Sequence, residues 1–215
     1  MDGLGADVTR EIAAGLWQTT TQHGHVGLEL EFRLGHVLAG GHFSPNVGKE
    51  QFEKLKRKLD AAKKFDRVVS VETVEKIGTA RGPGGGAFKH VTTLGISSGP
   101  PPPPYCMTKH KVYQKDFTVT ESPYTTRCSI AMEKVVPLTE APAGFTRHKR
   151  RTRYVYKVWA FDLTTVVSNT DIDTEESYEV EIELIDPGLL FERTMDSIAE
   201  YGLTLIQDAV EMLVL

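Results

Sequence analysis

Glu29-Leu30-Glu31-Phe32-Arg33 near one end of the chain and Glu179-Val180-Glu181-Ile182-Glu183 near the other decide how this sequence folds. Side chains alternate sides along an extended strand, so each stretch puts its charges on one face and its apolar residues on the other. One such strand is an ordinary amphipathic element with glutamates in water. Two of them pose an electrostatic problem, because glutamate is a poor strand former and like charges facing across a sheet repel unless a cation or basic groups compensate.

The basic groups lie between them. In Arg147-His148-Lys149-Arg150-Arg151-Thr152-Arg153-Tyr154, extension directs Arg147, Lys149, Arg151 and Arg153 to one side, a row that suits a polyphosphate. Read alone, the run fits an exposed basic strand or a localisation signal equally well. Its continuation through Trp159-Ala160-Phe161-Asp162-Leu163-Thr164 still reads as strand, which carries it into a sheet. In Arg127-Cys128-Ser129-Ile130-Ala131-Met132-Glu133, Arg127 and Glu133 share a polar face opposite Cys128, Ile130 and Met132.

Around these strands, β-branched alternation recurs over 67–77, 88–96, 111–119, 125–136, 147–167 and 178–185, which predicts an antiparallel sheet or barrel. Helical spacing of apolar residues predicts helices over 8–17, 48–65 and from 188 to the last residue. The final helix has two destinations, its own barrel or a twin in a homodimer. Residues 78–86 and the proline run 97–104 are expected to be loops, the latter a polyproline spacer. The whole 1–215 is expected to form a single domain.

Composition excludes several classes. A net charge of −4 argues against coating nucleic acid through bulk positive charge. Cys106 and Cys128 are too few for a disulfide framework, which predicts a reduced, intracellular chain, and no apolar run approaches the ~18 residues of a membrane span. A cysteine phosphatase needs arginine six residues after its thiolate, where this chain has Val112 and Lys134. A phosphate-binding G-x₄-G-K-[ST] loop is missing, as is the K-x-D-G motif of a guanylyltransferase. His23 and His25 have no matching Cys/His set, so an oxygen-ligated Mg²⁺ or Mn²⁺ is expected rather than zinc.

The order of E-L-E-F-R from Glu29, R-C-S-I-A-M-E from Arg127, R-H-K-R-R-T-R-Y from Arg147, F-D-L-T-T-V from Phe161 and E-V-E-I-E-L from Glu179 resembles the metal-dependent RNA 5′-triphosphatases of fungal, protozoan and large-DNA-virus capping systems, within the triphosphate tunnel metalloenzymes. The resemblance implies a mainly β, closed antiparallel eight-stranded barrel with a few flanking helices. It implies that Glu29, Glu31 and Glu183 hold Mg²⁺ or Mn²⁺ with Glu179 and Glu181 in support, that Lys149 and Arg151 contact phosphate, and that Glu133 orients the attacking water. It implies too that Asp162 and Thr164 organise the basic groups and that Lys115 stands for a tunnel lysine. Arginines of the family pattern are replaced by Ala160 and His90, for which Lys89, Arg127, Arg147 or Arg153 are the candidate substitutes.

The implied reaction is removal of the γ-phosphate from a 5′-triphosphate RNA end, the first step of mRNA capping, in the nucleus or at a viral cytoplasmic replication site. A separate RNA guanylyltransferase would act next. Two alternatives stay open. One is a tunnel triphosphatase for nucleotides, inorganic tripolyphosphate or thiamine triphosphate; the other is a noncatalytic phosphate-binding subunit of a capping complex.

Overall fold

The structure, a computed structural model, describes residues 3–79, 87–118, 122–138, 140, 145–169 and 174–214. After helix α1 (Gly3–His23) come β1 (Leu28–Val37), the two-residue β2 (Phe43–Ser44) and α2 (Lys49–Ala61). Then follow β3 (Arg67–Thr79), β4 (Ala87–Ile96), β5 (Tyr105–Thr118), β6 (Thr125–Val136), β7 (Thr146–Tyr156), β8 (Trp159–Asn169) and β9 (Thr174–Leu184), before a 3₁₀ turn (Pro187–Phe191) and α3 (Met195–Val214).

The strands run β1-β6-β5-β4-β3-β7-β8-β9 and close by pairing β9 back onto β1. This is an eight-stranded barrel, antiparallel throughout, with β2 as an extra strand on β1. Closure removes every open edge from the eight.

The hydrophobic core lies outside the barrel wall. Leu30, Phe32 and Leu34 of β1, Trp159, Phe161 and Leu163 of β8, and Val180 and Ile182 of β9 point outward and are all but fully buried. Ile12 and Leu16 of α1, Phe52, Leu55 and Leu59 of α2, and Ile198, Ile206 and Ala209 of α3 complete that core. At Gly202 α3 comes so close that an added Cβ would lie 2.4 Å from the Phe32 ring and 2.8 Å from Trp159. The final helix therefore covers its own barrel, and a homodimer built on its apolar face is not available.

Several expected boundaries move. The single alternating stretch 147–167 is two strands, β7 and β8, joined at Lys157 and Val158, with Tyr156 and Trp159 as the closing pair. Lys157 sits in the left-handed region at φ 57, without the glycine or asparagine that announces a tight hairpin in sequence. Strand β5 begins at Tyr105, six residues ahead of the expected start, because its inward row mixes apolar and charged residues and shows no clean alternation. Helix α1 is longer at both ends than 8–17. The proline run forms the β4–β5 connection as expected, whereas 80–86 of the glycine-rich loop lie outside the described residues.

Candidate active site

Because the apolar faces of β1, β8 and β9 are taken up by the helices, their charged faces turn into the barrel. There they enclose a cavity of about 500 Å³. Glu31 of β1 is the direct cross-strand partner of Glu183 in β9, and Arg33 is that of Glu181. Glu29 lies one inward position along β1, beside Ala131 of β6. From β7, Lys149, Arg151 and Arg153 enter the same space. Sequence ends separated by some 150 residues thus meet in one lumen, as the two acidic stretches required.

Opposite charges interlock throughout. Arg153 donates two hydrogen bonds to Asp162, at 2.8 and 2.5 Å, and also pairs with Glu183. Arg151 lies 3.1 Å from Asp162, 3.7 Å from Glu181 and donates to the Thr164 hydroxyl at 3.3 Å. Asp162 is fully buried and Thr164 nearly so; together they form a polar floor that orients two guanidinium groups. Arg33 bridges Glu181 and Glu31. Burial opposes a charged Arg33, but Glu181 and Glu31 outweigh it and hold the guanidinium above its ordinary value. Glu181 is pulled well below the usual carboxylate range, since Arg33 and Arg151 overcome the burial that would raise it.

Three features were not assigned a role from sequence. Lys109 of β5 is placed by register opposite Glu133 and reaches Glu29, Glu31 at 3.6 Å and Glu133 at 3.9 Å. Glu75 of β3, almost buried, accepts from Lys149 at 3.0 Å and lies 4.0 Å from Lys89. Burial pushes Lys149 down to about 8, and Glu75 is the main influence against that shift. Arg67 of β3 also reaches the cavity. Only strand pairing reveals these three, because no charged alternation marks their segments.

Other expected residues fall elsewhere. Lys115 does not enter the lumen: a bulge between Lys111 and Tyr113 reverses the facing of β5, so Lys115 stands beside the outward Cys128 and pairs with Glu11 of α1. Arg127 shares the inward row but does not line the cavity. It is held bidentately by Asp116 at 2.7 Å and stacks 4.2 Å over Phe43. Arg147 is likewise taken up by Glu179 at 2.8 Å, and neither of the two lines the cavity. At the two departures, Ala160 faces Glu183 across β8–β9, next to the guanidinium of Arg153. His90 faces away, while its neighbour Lys89 lines the cavity. Of the four candidate substitutes, Lys89 and Arg153 are positioned to act.

Glu29, Glu31 and Glu183 form an all-oxygen donor set. Burial, reinforced by Glu31, pushes Glu29 up to about 7, and burial pushes Glu183 up to about 8 against the pull of Arg153. Three inward carboxylates on two paired strands, two of them held above their ordinary range by burial, offer the oxygen donors that suit a hard divalent cation. Among the described residues no three such side chains stand gathered as a finished ligand set. Lys109 and Arg153 now pair with these glutamates and would have to give way.

A closed antiparallel barrel whose lumen sets carboxylates from its first and last strands against cations from β7 defines a tunnel-type, anion-handling protein. The model of the family "mRNA capping enzyme, beta chain" matches residues 100–202. The 5′RNA triphosphatase A449R of Paramecium bursaria Chlorella virus 1 is 33% identical over 187 residues, covering 85% of this chain and 88% of the viral protein. The S. pombe Pct1 RNA triphosphatase superimposes with a TM-score of 0.76 at 19% identity, over 96% of this chain and 92% of that one. The Mimivirus capping enzyme triphosphatase does so at 0.58 and 14%, over 94% and 96%. The chain belongs to the RNA triphosphatase family of mRNA-capping enzymes.

Proposed function

We propose that this chain, acting as one triphosphate-tunnel domain, hydrolyses the γ-phosphate from 5′-triphosphate RNA ends as the first step of mRNA capping. The observation that carries the reading is the cross-strand pair Glu31 and Glu183 facing Lys149, Arg151 and Arg153 inside one enclosed cavity. Glu29, Glu31 and Glu183 would hold Mg²⁺ or Mn²⁺, with Glu179 and Glu181 fixing the surrounding arginines. When bound, the ion supplies charge neutralisation at the γ-phosphate.

The chain's own groups do the rest. Lys149, Arg151 and Lys109 grip phosphate oxygens where water is partly excluded, so each attraction exceeds its value at a surface. Asp162 and Thr164 keep Arg151 aimed before substrate arrives, which spares reorganisation during the reaction. Glu133, at the lumen's edge beside Lys109, orients the water for in-line attack on the γ-phosphorus. Its product, a 5′-diphosphate end, is the substrate for a guanylyltransferase supplied by another chain. The work place is wherever transcripts are capped, the nucleus or a viral cytoplasmic replication site. No helix among the described residues is long and apolar enough to cross a membrane.

The test is release of phosphate from γ-labelled triphosphate RNA, from ATP and from inorganic tripolyphosphate, each with Mg²⁺, Mn²⁺ or chelator. Metal-dependent release from RNA is expected. Cleavage of ATP or tripolyphosphate without RNA would replace the capping reading with a small-molecule triphosphatase. No release from any substrate would leave a noncatalytic phosphate-binding subunit.

A further inference from the structure

The cavity has two unlike walls. Facing the charged one, β3, β4 and β5 set Val71, Val91, Ile96, Tyr105 and Met107 among Glu75, Lys89 and Lys109 on the lumen side, joined by Pro102 from the β4–β5 loop. Register gives two apolar pairs, Val71 with Ile96 and Val91 with Tyr105, with the cross-strand pair Thr73 and Thr93 between them. This wall also adjoins the cationic row, because Val71 is the cross-strand partner of Arg151. Tyr105 is half-buried, with Glu75, Glu133 and Arg151 within electrostatic reach of its hydroxyl, which places the phenol over the charged lumen.

A triphosphate has no apolar surface with which to cover such a wall. The cavity volume of about 500 Å³ lies within the ~300–1,000 Å³ range that encloses drug-sized ligands, so it has room for more than a phosphate chain. The group covalently attached to the substrate's triphosphate is a nucleoside, with flat π-faces and an apolar edge.

We infer that the wall formed by Tyr105, Met107, Ile96 and Pro102 is the subsite for the first nucleoside of the RNA, with Tyr105 as its stacking platform, an inference that rests on the proposed function. Stacking is tolerant of sequence because every base offers a π-face. An enzyme acting on transcripts with different first nucleotides needs that tolerance. Val71 beside Arg151 marks where the phosphate grip ends and the nucleoside contact begins.

The test compares the parent protein with Tyr105→Ala, Tyr105→Phe and Met107→Ser on triphosphate RNA, ATP and inorganic tripolyphosphate, which has no nucleoside. Tyr105→Ala should raise KM for RNA and ATP about tenfold, in line with the loss of one base–aromatic stack. Tyr105→Phe should restore most of it, Met107→Ser should move KM in the same direction by less, and the KM for tripolyphosphate should hold. Equal losses on all three substrates would make Tyr105 part of the phosphate grip and overturn the inference. So would unchanged KM values for all three, which would put the nucleoside elsewhere. If the parent hydrolyses none of them, the proposed function fails separately. Calorimetric binding of ATP and tripolyphosphate to the same variants then decides the wall: weakened ATP binding alone supports it, and unchanged ATP binding removes it.

Discussion

The helix-backed wall of the barrel and the wall without helices differ in which face of each strand meets the lumen. Strands β1, β8 and β9 give their apolar faces to the helix layer, so their polar faces go inward and the lumen there is almost wholly charged. The outer side of β3, and of β7 as far as Arg150, lies away from the helix layer instead and carries Glu72 between His148 and Arg150, whereas Tyr154 at the far end of β7 is buried against α2. On β3, Val69 and Val71 turn inward while Val68 and Val74 face out, and the lumen mixes these two inward valines with Arg67, Thr73 and Glu75. An alternating strand has one apolar face to bury, and the placement of three helices determines where charge and where hydrocarbon line the cavity.

The sharpest way to break the contrast is to remove charge from the backed wall. Glu31→Ala and Glu183→Ala should each lower kcat on triphosphate RNA by about 10³-fold or more, since each deletes an oxygen donor for the cation at the reacting phosphate. The far-ultraviolet circular dichroism should stay that of the parent. A variant that keeps a tenth of the parent rate would take this wall out of the chemistry.

The same glutamates give the metal-free protein a pH signature. Glu29 is held near 7 and Glu183 near 8 against an ordinary value of 4.5, so the folded chain binds more protons than the unfolded one across that interval. Stability therefore falls as pH rises from about 5 to 8, by roughly 3 kcal/mol for Glu29 alone. Below that interval Glu181, whose pKa is depressed, acts in the opposite sense and loses its contribution as pH falls. A chelated sample should melt highest near pH 5 in scanning fluorimetry. Mn²⁺ should raise the melting temperature more at pH 8 than at pH 5, because the ligands must be ionised to bind it. A melting temperature that is flat over this range would mean the carboxylates are already compensated.

On the cationic side, Arg151→Lys should cost about 10²-fold in kcat, because lysine keeps the charge but not the fork that spans Asp162, Thr164 and phosphate. Glu75→Gln should do less and in a particular way. Glu75 opposes the burial that lowers Lys149 to about 8, so without it Lys149 loses its proton at lower pH and the alkaline limb of kcat/KM moves down. An unshifted limb would separate Lys149 from catalysis.

How much of this was legible in the chain depends on which wall is considered. Leu30 and Phe32 alternate with Glu29, Glu31 and Arg33 without a break, so β1 and β9 declare both their faces, and the lumen they share follows from their common pattern. The β7–β8 turn at Lys157 was hidden, because a non-glycine residue there takes the left-handed conformation. Tyr105, Met107 and Lys109 share one inward row yet differ in polarity, so no period marks it. Glu75 acquires meaning only through its neighbours on β7 and β4.

The smallest expected effect is the most discriminating about strand facing. By simple alternation Lys109 and Lys115 belong to one face of β5, and either would serve as the lysine of the lumen. The bulge after Lys111 separates them, sending Lys109 to Glu29 and Glu133 and Lys115 to Glu11 on the helix side. Lys109→Ala should therefore lower kcat about 10²-fold by removing a phosphate grip. Lys115→Ala should leave kcat and KM within twofold, and cost at most about 1 kcal/mol of stability as the loss of a surface ion pair. If the two variants lose activity equally, β5 is not bulged at this point in the working enzyme, and the row from Tyr105 to Lys109 that builds the apolar wall would have to be redrawn with it.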